Sequence, residues 1–307
     1  MRYLVTGANG FIAKNLINHL TRTDKKIEVI GLSRSLSEQN HSSSAKILQY
    51  NPSDENEIYS ILKEHKPQKI FHFAAQSNPS YSWEYPEFTI DSNYKLSMYL
   101  LNSIVKLNSN IHMYMISSSS VYKESETPIS ENDTLDINTP YAISKILQEN
   151  LSNIYQKKYK LKTTIIRPFC ITGPGKTGDV ISDWANGIVS IENNQEKKLM
   201  IGNLGGVSRD FLHIQDFINA FLTIVNSNEL GVFNICSGKK TNLPDLLELF
   251  LSKSNANIKV STEKQKLRNI NDSILFGDNV KIKNLGWTQE LTLSNIVDDQ
   301  LNFYREQ

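Results

Sequence analysis

A chain of 307 residues with 39% hydrophobic and 21% charged side chains has the makeup of a large globular α/β domain, alone or with a smaller lobe, and excludes a disordered chain. Its 33 basic and 32 acidic residues leave a net charge of +1. No overall field therefore draws nucleic acid or an anionic membrane, and any anionic ligand falls to local arginines.

The opening "MRYLVTGANG" reads as a strand entering a turn, not as a signal peptide. No apolar run approaches the ~20 residues that span a bilayer. The expected location is cytoplasmic. Short apolar, β-branched or aromatic runs at residues 3–5, 27–32, 47–50, 70–73, 112–116 and 163–166 predict strands. Between them lie segments of helical period, such as residues 11–20 and 55–64. This alternation predicts an α/β chain with a parallel sheet covered by helices on both faces. The serine-rich residues 41–46 read as a loop. After about residue 170 glycine and proline gather in "TGPGKTGD", short elements mix, and a helical segment at 293–304 closes the chain. The expected division is a first domain over residues 1–168 and a smaller lobe over 169–307, interleaved with it. Cys170 and Cys236 fall in strand-like runs and are expected as reduced core thiols.

In "LVTGANGFIAKNL", Gly7 and Gly10 lie between the first strand and the first helix, with Ala13 at the third small position. Glycines there let the backbone turn tightly and approach a pyrophosphate, whose charge meets the helix N-terminus. The second strand ends in "VIGLSRS". Where an NAD site usually places an acid for the ribose hydroxyls, this chain has Ser33 and Arg34, a hydroxyl and a guanidinium suited to a 2′-phosphate. NADP(H) is the expected cofactor and NAD(H) the alternative. Further on, "MISSSSVYK" ends a strand in four serines with no acid or base among them. "NTPYAISKILQEN" then sets Tyr141 and Lys145 four apart on one helix face, with Thr139 as N-cap and Pro140 in the first turn. An ammonium near a phenol favours the phenolate, so Lys145 is expected to lower the Tyr141 pKa.

With the glycine turn, the strand-end serines and the Tyr-x-x-x-Lys helix in order, the chain resembles the extended short-chain dehydrogenase/reductases acting on nucleotide sugars over nearly all its length. The resemblance implies a Rossmann-type doubly wound parallel sheet with a smaller C-terminal α/β substrate-binding lobe. The family's strand-end pattern aligns on Val121 and Tyr122 and selects Ser118, while its helix asparagine matches Asn93 in "TIDSNYKLS". The implied catalytic set is Asn93, Ser118, Tyr141 and Lys145. Ser117, Ser119 and Ser120 become turn and substrate contacts. The implied cofactor contacts are Gly7, Asn9, Gly10, Phe11, Ile12, Ser33, Arg34, Asn51, Pro52, Ala74, Ala75, Gln76, Tyr141, Lys145 and Pro168. Hydride reaching a sugar carbonyl leaves negative charge on oxygen. Ser118 would bond that oxygen, Tyr141 would protonate it, Lys145 would hold the nicotinamide ribose, and Asn93 would orient a water or backbone group.

Related 4,6-dehydratases follow their catalytic threonine with carboxylic acids. Here those places are Ser119 and Ser120, which cannot act as acid or base at neutral pH. Enzymes that epimerise beside the ketone add a cysteine and a histidine; this chain has Ser120 at the cysteine's place and no histidine in "GPGK". Simple carbonyl reduction remains. Within the family the likeness is greatest to reductases of GDP-4-keto-6-deoxy-D-mannose, through "VIGLSRS", "FHFAAQS", "GPGK", "IGNLGGVSRDF" and "FNICSG". The implied substrate contacts are Ser77, Trp83, Ser119, Ser120, Cys170, Arg209 and Arg268, the two arginines as a diphosphate clamp. Two departures bear on the substrate. Cys170 stands where the family has asparagine, and Asn269 and Asn271 replace a proline and an acid after Arg268.

Asp216 is expected to cap a helix beginning near Phe217, and His72 and His213 to be packed strand residues. No spacing suggests a metal. Residues 96–107 and 142–159 are apolar over wide faces, which suggests a homodimer through a helix bundle. Two other functions compete with the reductase: an NAD-linked nucleotide-sugar epimerase, and a non-catalytic dinucleotide-binding sensor.

Overall fold

The computed structural model describes residues 1–36, 45–202, 204–262 and 274–307. The chain forms two units. The first holds Met1–Lys123, Asp133–Pro168 and Asn228–Phe233, and the second holds Glu124–Asn132, Phe169–Ser227 and Asn234–Gln307. The chain passes between them several times.

The first elements are β1 (Arg2–Thr6), α1 (Phe11–Thr23), β2 (Glu28–Ser33), β3 (Lys46–Gln49), α2 (Glu55–His65) and β4 (Lys69–His72). They are followed by α3 (Pro79–Glu84), α4 (Pro86–Lys106), β5 (His112–Ile116), α5 (Pro140–Tyr159) and β6 (Lys162–Pro168). Next come β7 (Cys170–Thr172), α6 (Val180–Glu192), β8 (Leu199–Ile201), β9 (Ser208–Arg209), β10 (Phe211–His213), α7 (Ile214–Ser227) and β11 (Gly231–Ile235). The chain ends with β12 (Thr241–Asn242), α8 (Leu243–Ser252), β13 (Val260–Thr262), β14 (Ile274–Leu275), α9 (Val280–Lys283) and α10 (Leu293–Arg305).

Every strand expected before residue 168 is present, within two residues of its expected bounds. The large sheet has the order β11-β6-β5-β4-β1-β2-β3, and the pairings among β1 to β6 are parallel. Its inner strands are apolar almost throughout because helices cover both faces; β5 is buried at every position. Leu4, Ile30, Ile70 and Met113 of the sheet pack with Ile58 and Leu62 of α2 and Leu100 and Ile104 of α4.

Local chemistry starts the helices where the sequence places them. Asp54 caps α2 by accepting the Asn56 and Glu57 N–H groups at 2.9 and 3.2 Å. Thr139 caps α5 through the Ala142 N–H at 2.9 Å, with Pro140 beginning the helix. The second unit has its own core, in which Trp184 and Ile188 of α6 meet Phe250 of α8 and Ile296 and Leu301 of α10. Among the described residues no helix is long and apolar enough to cross a membrane.

Candidate active site

β1 and β4 are neighbours, yet the chain continues from them toward opposite edges of the sheet. That arrangement opens a crevice at their carboxyl ends. Gly7 leaves β1 with φ +72°, and a Cβ there would lie 2.8 Å from the Ala74 nitrogen and 2.9 Å from its Cα. Only glycine lets the two strand ends come this close. The Gly10 N–H donates to the Gly7 carbonyl at 2.8 Å. α1 then begins without a side-chain cap and without an acid in its first turn. A Cβ-free cradle leading to uncapped helix amides fits a dinucleotide pyrophosphate. Ala13 is buried, Phe11 and Ile12 are half-buried, and Asn9 is exposed. The Asn9 amide donates to the Ser35 carbonyl at 2.9 Å, tying the glycine turn to the end of β2.

Ser33 and Arg34 part company at that end. Ser33 is buried, and its hydroxyl accepts the Ser35 N–H at 3.5 Å, so it serves the turn. Arg34 is exposed and borders a cleft of about 1030 Å³ with Tyr50, Asn51, Pro52, Phe88 and Leu96. Glu57, Glu87 and Asp91 also border it. Of these, Glu57 accepts the Asn51 N–H at 2.9 Å and Asp91 pairs with Lys95.

α5 and the turn after β5 bring Ser118, Tyr141 and Lys145 together. The Ser118 hydroxyl lies by the Tyr141 phenol, and its Oγ accepts the Ser120 N–H at 3.1 Å. Tyr141 and Lys145 are 5% and 3% exposed, so both titrate in a poorly solvated place. Burial pushes the Tyr141 phenol up to about 12, and the neighbouring Ser118 hydroxyl opposes that rise. Burial brings the Lys145 ammonium down to about 7, and the Glu149 carboxylate opposes that fall. The expectation that Lys145 lowers the phenol pKa is therefore corrected: desolvation outweighs it. Lys145 Nζ lies 5.9 Å from the Tyr141 ring centroid and donates to the Ile116 carbonyl at 2.8 Å. Ser119 is buried and Ser120 half-buried in the short turn that follows. Ser117 is 2% exposed and donates to Glu149.

Asn93 is fully buried on α4 and acts on backbone. Its Oδ1 accepts the Gln76 N–H at 2.7 Å, and its Nδ2 donates to the Gln76 carbonyl at 3.0 Å and the Ser144 hydroxyl at 2.9 Å. It thus clamps the half-buried segment Ala74, Ala75 and Gln76 that follows β4. A buried polar chain continues behind it. Gln148 donates to the Asn93 carbonyl at 3.0 Å and to Ser97 at 2.6 Å; Ser97 meets His72 at 2.9 Å, and His72 meets Thr6 at 2.8 Å. Thr6 in turn accepts the Ala74 N–H at 3.1 Å. Reading the residues one at a time missed this chain, because its members are unremarkable singly. The signal available was polar spacing along α5, where Tyr141, Ser144, Lys145, Gln148 and Glu149 recur at helical period.

The remaining expected contacts divide between the units. In the first, Ser77 and Trp83 are exposed, Trp83 at 64% on α3, and Pro168 is half-buried at the end of β6. In the second, Cys170 opens β7, and the Arg209 guanidinium donates to the Ser208 carbonyl at 2.8 Å. Burial pushes the Cys170 thiol up to about 11, with Arg209 pulling it down and Asp210 raising it. Asp210 is committed to backbone, accepting the Ser237, Gly238 and Gly277 N–H groups at 2.7, 2.9 and 3.1 Å. Asp216 does not cap a helix starting near Phe217. It lies inside α7, and its carboxylate accepts the Glu290 and Leu291 N–H groups at 3.0 and 2.9 Å. His72 and His213 are buried strand residues. Arg268 lies outside the described residues.

The family model for GDP-mannose 4,6 dehydratase matches residues 4–300. The GDP-6-deoxy-D-mannose reductase of Pseudomonas aeruginosa is 25% identical over 95% of this chain and 93% of its own. The UDP-glucose 4-epimerase of Mycolicibacterium smegmatis is 26% identical over 99% of each chain. Among solved structures, that of RMD from Pseudomonas aeruginosa complexed with NADPH has a TM-score of 0.86 and 24% identity, covering 99% of each chain.

Proposed function

The chain belongs to the GDP-mannose 4,6 dehydratase family of extended short-chain dehydrogenase/reductases, and from that premise we propose that it is an NADP(H)-dependent reductase of a nucleotide-linked 4-keto-6-deoxysugar, most closely a GDP-linked one. One observation carries the reading: a buried, protonated phenol has a serine hydroxyl beside it, and serines stand where dehydratases carry acids. A phenol held up to about 12 carries its proton at neutral pH, the state a developing alkoxide needs.

A bound nicotinamide supplies the hydride. Ser118 donates to the ketone oxygen and Tyr141 delivers the proton to it. Lys145 holds the ribose side and steadies charge near the phenol, while Asn93 keeps the Gln76 segment in place. Gly7, Gly10 and the start of α1 hold the pyrophosphate, and Arg34 meets the 2′-phosphate. Arg209 and Arg268 bind the sugar-nucleotide diphosphate. Loss of water would need a carboxyl acid and base at 119 and 120, which serine cannot supply. Glu149 is no substitute, being bonded to Ser117 and Arg167. Epimerisation through a cysteine is disfavoured as well, since the Cys170 thiol is held up to about 11 and Ser120 replaces the family's cysteine.

The likeness to GDP-6-deoxy-D-mannose reductase over nearly the whole chain supports the GDP-linked substrate. A homodimer is part of the same proposal. α4 and α5 pack on each other within the unit, but Ile154 and Tyr159 on α5 are 56% and 42% exposed, leaving apolar surface for a partner. Sedimentation showing a concentration-independent monomer removes that part. The function is tested by NADPH oxidation with freshly generated GDP-4-keto-6-deoxymannose, beside CDP-, UDP- and dTDP-linked 4-ketosugars. Turnover with one of them is expected. Tight NADP binding with no turnover on any would favour a sensor, and interconversion of unreduced sugar nucleotides without added cofactor would favour an epimerase.

A further inference from the structure

Tyr141, Lys145 and Glu149 follow one another at intervals of four along α5, so they form one stripe on one helix face. All three are buried. The first two belong to the reaction proposed above, but Glu149 does not touch it. Its position is nonetheless closely determined. Glu149 Oε1 accepts from Arg167 Nε at 2.9 Å and from the Ser117 hydroxyl at 2.5 Å, and Oε2 accepts from an Arg167 terminal nitrogen at 2.6 Å. Arg167 on β6 also donates to the Tyr122 hydroxyl at 2.8 Å, and its guanidinium carbon lies 4.7 Å from the Tyr122 ring centroid. Ser117 precedes Ser118 directly, and its own N–H donates to the Ile166 carbonyl at 2.7 Å.

The charges in this pocket do not cancel. Lys145 and Arg167 bring two cations, and Glu149 is the anion among them. The other groups facing Lys145 carry no charge at neutral pH: Tyr141 on α5 keeps its proton, and His72 on β4 is held down to about 3 by burial and by Lys145 itself. A guanidinium does not release its proton in a protein, whereas a buried lysine does. Any weakening of the Glu149 field is therefore felt at Lys145, whose ammonium already lies down at about 7.

We propose that Glu149 is a positioning residue for the reduction: gripped by Arg167 and Ser117 one helical turn beyond Lys145, its carboxylate sets the electrostatic surroundings of the Lys145 side chain beside Tyr141. The proposal rests on the reductase reading for its kinetic consequence, not for its electrostatics. It also assigns opposite effects to the two partners. Removing the carboxylate takes from Lys145 the anion that opposes its desolvation and from Arg167 its ion-pair partner. Removing the guanidinium leaves the whole carboxylate to Lys145.

The test follows the Lys145 Cε resonance against pH in isotope-labelled protein with NADP bound, assigned by its loss in Lys145→Met, together with the pH profile of kcat/KM for the ketosugar. Lys145 is charged below its pKa, so lowering that pKa brings the alkaline fall in activity to lower pH. Glu149→Gln should lower the Lys145 midpoint by about 1–3 units, Arg167→Met should raise it, and Glu149→Asp should restore most of the native value. A purely structural role would cost stability in all three without moving the midpoint in opposite directions. Should Glu149→Gln not fold, as read by near-ultraviolet circular dichroism, the Arg167→Met and Glu149→Asp pair decides. An unchanged midpoint in folded Glu149→Gln, or a lowered one in Arg167→Met, overturns the proposal. Opposite midpoint shifts without turnover of any ketosugar would leave it standing and instead sink the reductase reading.

Discussion

Acidification should unfold this protein early, and His72 accounts for a definable share. The ring is 1% exposed and bonded on both nitrogens. Ser97 donates its own hydrogen to the Asn93 carbonyl at 2.8 Å, so it accepts from His72 Nε2, and Nδ1 must accept from Thr6. Charging the ring places a second N–H against a hydroxyl oxygen that already accepts the Ala74 N–H. Burial, followed by the Lys145 charge, accordingly holds the imidazole down to about 3 from its ordinary 6.5.

A folded pKa below the unfolded one means the unfolded chain binds the proton first. The stability is complete above 6.5 and drains away as pH falls toward 3. Between pH 7 and about pH 5 the loss is about 2 kcal/mol, a large part of the ~5–15 kcal/mol that holds a typical domain. Urea unfolding of the wild type and of His72→Gln at both pH values isolates this share, since every other titrating group is common to the two. The mutant is expected to be less stable at pH 7, but to lose about 2 kcal/mol less on acidification. If both proteins lose the same amount, His72 titrates normally in the fold, and the buried chain from Thr6 to Asn93 does not hold it neutral.

Three further outcomes are expected. Tyr141→Phe keeps the packing and leaves Ser118 bonded to the Ser120 N–H, so stability should change by about 1 kcal/mol while kcat falls about 10²–10⁴-fold, measured by thermal unfolding and NADPH oxidation. Gly7→Ala must place a methyl 2.8 Å from the Ala74 nitrogen at φ +72°. The combined strain of about 2–5 kcal/mol should lower the melting temperature and weaken NADP binding by calorimetry. Arg34→Ala should raise the KM for NADPH about 10–100-fold and leave that for NADH nearly unchanged; an equal change in both would deny the arginine a role at the 2′-phosphate.

The elements of the first unit were legible in the chain because their signals are local. Apolar runs mark strands buried on both faces, Asp54 and Thr139 cap helices with their own side chains, and Tyr141 and Lys145 share a face through helical pitch alone. The glycine turn was legible for the same reason, although the atoms that make Gly7 obligatory belong to Ala74, far along the chain. Charge balance was not legible. Whether Lys145 lowers the phenol or burial raises it depends on how much water reaches both, and that is set by β5, β6 and α4 closing around them. Ser117 reads as one of four equal serines until Arg167 and Glu149 arrive from two other elements. Asp216 likewise reads as a cap until residues 290 and 291 return to it. Propensity and periodicity act over a few neighbours and are written in the sequence; desolvation and long-range hydrogen bonding act between residues that only the folded chain brings together.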